Sequence, residues 1–147
     1  MYRRLLIATD GSKLSQKAIT QGVAFAKAIG ATVVGCHVRA PTPFVYYGEP
    51  VILSPETERG LERDAQALAA KYVGSIETAA TKAGVPCKLV VPTGLSPSDT
   101  VIRTAQKEKC DLIVMASHGR KGISRVLLGS ETNAVLTHSK IPVLVTR

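Results

Sequence analysis

The run ASHGRKGISRVLLGSET, residues 116–132, gathers residue types suited to holding an anion. Gly119 and Gly129 have no Cβ, so main-chain N–H groups can come close to a negative charge there. Arg120, Lys121 and Arg125 add positive charge, and no acid precedes Glu131 in the run. Gly129-Ser130 also opens a helical pattern, where free N–H groups and the helix dipole favour phosphate. A plainer reading uses the same residues: Gly119 turns the chain, Ser130 is an ordinary N-cap, and Glu131 suits a first helical turn by itself. Spacing alone leaves both readings open. Hydrolysis would need an oriented water and a base. His118 is the titratable candidate inside the run, with Asp10 across the cleft that the fold implies.

The elements that must position this run alternate along the chain. Apolar runs at 3–10, 31–40, 87–93, 111–117 and 141–147 predict five strands. Between them, Ser12 to Gly30 carries Leu14, Ala18, Gly22, Phe25 and Ile29 at helical spacing. Ser54-Pro55 opens a second helix through Leu61, Ala65, Leu68, Tyr72 and Ile76 to Gly84, and further helices span 96–109 and 129–139. Segment 40–55 is a long proline-containing loop. Uncharged strands joined by helices imply a parallel sheet covered on both faces. The expected fold is therefore α/β: one doubly wound, Rossmann-like, five-stranded domain spanning residues 1–147. Ligands in such sheets bind outside the carboxyl ends of the strands. Segments 8–12, 37–41, 92–98 and 115–122 reach that edge, so the glycine-rich run lies on the productive side.

Composition narrows the partner. The net charge is +8, which invites a nucleic-acid reading. Yet residues 51–100 hold five Lys/Arg against six acids, whereas 101–147 hold eight against three. Residues 1–50 hold six against two, and the excess in the last third includes Arg120, Lys121 and Arg125. With six aromatics not interleaved with basic residues, a compact anion fits better than a polymer. No apolar run approaches the ~20 residues of a membrane-spanning helix. Asp10 stands where a secretory leader would still be apolar, so a cytoplasmic location is expected. Cys36, Cys87 and Cys110 are widely spaced and read as free buried thiols, and no metal-ligand spacing occurs.

Common phosphate motifs are absent: there is no G-x-x-x-x-G-K-(S/T), and no G-x-G-x-x-G follows the first strand. The residues resemble the universal stress protein family instead. Its nucleotide-binding members carry G-x2-G-x9-G-(S/T) after the fourth strand. Here Ala116, Gly119 and Gly129-Ser130 keep that spacing, with alanine in place of the first glycine. LLIATDGSKLSQKAI, the His37-Val38 ending of strand two, DLIVMASHG and SKIPVLVTR extend the resemblance along the whole chain.

The resemblance implies sheet order 3-2-1-4-5, an adenine nucleotide ligand (ATP, ADP or AMP) and a homodimer made through the last strand, 142–147. It implies that Ala8, Thr9, Asp10 and Val38 surround the base, with Met115 nearby. Ala116 and Gly119 would border ribose and phosphates, beside Arg120. Gly129, Ser130 and the N–H groups of Glu131 and Thr132 would hold phosphate oxygens. A magnesium or manganese ion would be bound through the phosphates rather than by a protein cage. Ala116 departs from the pattern. A positive φ there would cost about 1 kcal/mol in alanine, whereas an extended strand end accepts the methyl. Its neighbours Met115 and Ser117 favour the second.

Three functional classes follow. The first is a nucleotide-binding dimer acting as a stress sensor or switch. The second is a slow ATPase or phosphotransferase using His118. The third is an interaction protein presenting Phe44, Tyr46 and Tyr47 from loop 40–55, a segment that could equally close over a ligand.

Overall fold

A computed structural model describes residues 1–41, 52–119 and 128–147, and the backbone alone at 45–46 and 49–50. Five strands form a parallel sheet: β1 (Arg4–Ala8), β2 (Thr32–Cys36), β5 (Cys87–Val90), β6 (Leu112–Ala116) and β7 (Val143–Thr146). Their order is β5-β2-β1-β6-β7, the expected 3-2-1-4-5 arrangement. Strand β1 is central, with Ile7 aligned with Gly35 of β2 and Val114 of β6. From β1 the chain builds outward to one side and then to the other. The order therefore reverses between β1 and β6, where a crevice opens at the carboxyl edge.

Four helices cover the sheet: α1 (Lys13–Ile29), α2 (Pro55–Ala83), α3 (Pro97–Lys107) and α4 (Ser130–His138). The first three start alike. Ser12, Ser54 and Ser96 each stand at the N-cap and accept a hydrogen bond from a first-turn amide, those of Ser15, Thr57 and Asp99. Gly30 and Gly84 end α1 and α2, as their positions in the sequence predict.

Alternation along each strand divides the core into two layers. Leu5, Ile7, Val33, Leu112 and Val114 face α1 and α2, meeting Ile19, Val23 and Ile76. Leu6, Val34, Ile113 and Met115 face α3 and α4, meeting Val101, Ala105 and Val135. Leu5, Leu6 and Ile7 are wholly buried, each contributing about 1.5–3 kcal/mol by leaving water. Burial on both faces explains why the strands read as continuous apolar runs.

Two expectations need correction. Segment 40–55 is not loop throughout. Val45–Tyr46 (β3) and Glu49–Pro50 (β4) pair antiparallel, with Val45 opposite Pro50. Val and Tyr favour extended backbone, and a two-stranded ladder has edges that tolerate a proline. Phe44 and Tyr47 lie outside the described residues. The second correction concerns α2, where Leu61 and Leu68 are exposed and the buried face is Ala69, Val73, Ile76 and Ala80. A helix of 29 residues is about 43 Å long, against about 17 Å for a five-residue strand. Its first half therefore extends past the sheet, and Arg39 ties it back through an ion pair to Glu62 at 2.7 Å.

The turn between β1 and α1 depends on Gly11, which has φ 78°. A Cβ built there would overlap the ring of Tyr72 from α2. Gly11→Ala is expected to destabilise the fold by about 2–4 kcal/mol, combining backbone strain with overpacking. Urea unfolding measures this, and a loss below about 0.5 kcal/mol would show that Tyr72 yields freely.

Candidate functional site

The crevice at the carboxyl edge is a cavity of about 480 Å³, within the size range of small-molecule sites. The end of β1 supplies Ala8, Thr9 and Asp10 to its wall, and β2 leads into Cys36, His37 and Val38. Strand β6 supplies Met115 and Ala116, followed by His118 and Gly119. The start of α4 closes one side with Gly129, Ser130, Glu131 and Thr132. Every residue nominated from the sequence thus lines one cavity, except Arg120. That residue lies outside the described part of the chain, as do Lys121 and Arg125.

Each wall is fixed by hydrogen bonds that follow from local sequence. The Thr9 amide donates to the Cys36 carbonyl at 2.9 Å, joining β1 to β2 just beyond their ladder. The Thr9 hydroxyl lies 2.9 Å from that of Ser15, and accepts from the Gly11 amide at 3.1 Å. His37 Nδ1 donates to the Thr9 carbonyl at 2.9 Å, and the edge of its ring meets Tyr72 with centroids 5.0 Å apart. Asp10 accepts from the Ser12 amide at 3.0 Å. Its other carboxylate oxygen faces Gly119, where an added Cβ would stand only 2.7 Å away. Gly119 is therefore a place of close approach between the β1 and β6 exits.

The start of α4 is pinned to the end of β6. The Gly129 amide donates to the Ser117 carbonyl at 2.8 Å, and the buried Thr132 hydroxyl donates to the Ala116 carbonyl at 2.9 Å. Gly129, not Ser130, occupies the cap position, so the plainer reading of Ser130 as N-cap is corrected. Its φ of −60° and ψ of 152° are those of any N-cap, but it offers no side-chain cap. The first intrahelical donor is Asn133, bonded to the Gly129 carbonyl at 2.9 Å. The amides of Ser130, Glu131 and Thr132 precede it and have no carbonyl partner one turn back. Alone among the described helices, α4 begins without a side-chain cap from its N-cap residue, and it begins at the cavity.

Ala116 is the last residue of β6, paired with Thr146 of β7, and its φ is not positive. Its methyl therefore carries no left-handed strain. The His118 Nδ1 lies 3.0 Å from the Ser117 hydroxyl. Its Nε2 is buried without a hydrogen-bond partner among the described residues. One ring nitrogen is engaged and the other is shut from water, an arrangement that does not favour a general base.

Several wall residues are not among the site residues that the sequence nominates. Pro97, Ser98 and Val101 come from α3, Val135 from α4, and Ser15, Cys36 and His37 complete the lining. The Ser-Pro-Ser run at 96–98 lay in a segment known to reach this edge, so its position was a usable signal. Burial pushes the Cys36 thiol up to about 12, with nearby Cys110 adding to the effect. It stays protonated and acts as a small apolar wall. Glu131 reaches across the cavity to α3, accepting from the Ser98 amide at 2.8 Å. Among the described lining residues, the charged side chains are the carboxylates of Asp10 and Glu131.

No described helix is long and apolar enough to cross a membrane. The model of the universal stress protein family matches residues 1–147. A universal stress protein of Methanocaldococcus jannaschii is 33% identical over 147 residues, covering all of this chain and 83% of that protein. One from Thermus aquaticus is 33% identical over 147 residues, covering both chains completely. The structure of UspA from Lactobacillus plantarum matches with TM-score 0.77 at 26% identity, over 99% of this chain and 98% of that one. A universal stress protein solved in complex with cAMP shares the fold at TM-score 0.70 and 24% identity, over 99% of this chain and 97% of its own. An Arabidopsis thaliana family member with AMP bound shares it at TM-score 0.67 and 16% identity, over 97% and 90%. The whole-chain family match, the sheet order and the 33% identities have one meaning: this chain belongs to the universal stress protein family.

Proposed function

We propose that this chain binds an adenine nucleotide, ATP or its relatives ADP and AMP, and acts as a ligand-dependent switch in a cytoplasmic stress response. The observation that carries this reading is the start of α4. Three helices of this chain cap their first turn with serine, while the helix at the cavity opens with Gly129 and leaves its first amides to a ligand. Family members with cAMP and AMP bound support the same class of ligand.

In this reading the base lies among Ala8, Thr9, Asp10 and Val38, near Met115. Ribose and phosphates pass Ala116 and Gly119 toward Ser130, Glu131 and Thr132, and Arg120 adds positive charge near the phosphates. Magnesium or manganese, when present, is held through the phosphates. Equilibrium dialysis with ATP, ADP and AMP, on protein stripped of carried-over ligand, tests the reading. Saturable binding below millimolar concentration is expected, and its absence for all three would overturn it. Because Ala116 is extended, Ala116→Gly is expected to change affinity by less than about threefold. A gain of about tenfold would instead mean that the methyl blocks the ligand's closest approach.

The reading includes a homodimer through residues 142–147. Strand β7 is an outer strand of the sheet, with Leu144 exposed, and an open strand edge is a natural pairing surface. Sedimentation velocity across a concentration series is expected to give a dimer. A monomer at every concentration would remove this part of the proposal.

A further inference from the structure

Glu131 occupies an unusual place for a carboxylate beside an anion-binding helix start. It belongs to the first turn of α4, whose first amides have no partner among the described residues, and it lines the cavity. Its Oε2 atom accepts from the Ser98 amide at 2.8 Å, in the first turn of α3. One carboxylate therefore stands at two helix N-termini, where both dipoles favour negative charge. Part of the attraction that this end of the cavity offers an anion is already used by the chain itself.

We infer that Glu131 determines specificity by ligand charge, setting the cavity toward adenine ligands with few phosphate charges and against ATP. The inference rests on the nucleotide reading above. Any phosphate received by the amides of Ser130, Glu131 and Thr132 comes within a few ångströms of this carboxylate, and each added negative charge adds repulsion. Arg120, which the reading above sets near the phosphates, is common to the parent protein and to a variant at position 131, so comparing the two isolates the effect of this carboxylate. Adenosine has no phosphate charge, AMP carries about two at neutral pH and ATP about four, so the three form a graded series. The exposure of Glu131 to solvent tempers the repulsion without cancelling it.

Glu131→Gln isolates the charge, because the amide oxygen of Gln still accepts from Ser98 and the link between α3 and α4 is kept. The test is isothermal titration of the parent protein and this variant with adenosine, AMP and ATP at low ionic strength. In the variant, ATP is expected to bind about tenfold tighter and AMP about threefold tighter, with adenosine unchanged. Equal factors for all three ligands, or no change for any, would overturn the role of Glu131 and leave the nucleotide reading standing. A loss of all binding in the variant alone would also overturn it, since Glu131 would then be a structural requirement of the cavity. Absence of binding to either protein would overturn the nucleotide reading and this inference together.

Discussion

The joint between the end of β6 and the start of α4 holds the site together. Among the described residues two hydrogen bonds make it, from the Gly129 amide to the Ser117 carbonyl and from the Thr132 hydroxyl to the Ala116 carbonyl. They bring a helix with an unsatisfied first turn onto the carboxyl edge of the sheet, beside the point where strand order reverses. Gly129 serves the joint as well. A Cβ there would crowd the His118 backbone at 3.3 Å and the Ser117 carbonyl at 3.4 Å.

This joint changes what the chain's charge means. A net charge of +8 points toward anionic partners, but the described lining of the cavity contributes Asp10 and Glu131. Among the described lining residues, the groups that favour a phosphate are the backbone amides and the dipole at the start of α4, which act over a single turn and require correct placement. In the proposed reading, such a site selects a ligand by where its phosphate falls and how much charge it brings. A polymer recognised by a broad basic surface makes no comparable demand.

Much of this was legible before any coordinates. The apolar runs are continuous because the strands are buried on both faces, so the five strands and their parallel arrangement could be read from those runs and the helical patterns between them. Chain direction predicted that residues 115–122 reach the carboxyl edge, and Met115, Ala116, His118 and Gly119 line the cavity there. The spacing singled out Gly119 and Gly129-Ser130, and all three line the cavity. What stayed hidden depends on distance through space. Nothing in the order of residues says that Glu131 meets Ser98 rather than solvent, because that contact joins two helices from separate crossovers. Leu61 and Leu68 fit the helical stripe, yet the sheet is too short to cover them. Val45 and Tyr46 sit in a proline-containing segment that obscures their preference for extended backbone.

The most direct measurement follows the backbone amides by NMR during titration with AMP and, separately, with adenosine. The difference between the two titrations reports the phosphate alone. If the uncapped start of α4 receives it, the largest phosphate-dependent shifts fall on Ser130, Glu131 and Thr132, with the capped starts of α1 and α2 unmoved. Phosphate-dependent shifts centred on α1 or α2, with those three amides unchanged, would contradict the central claim.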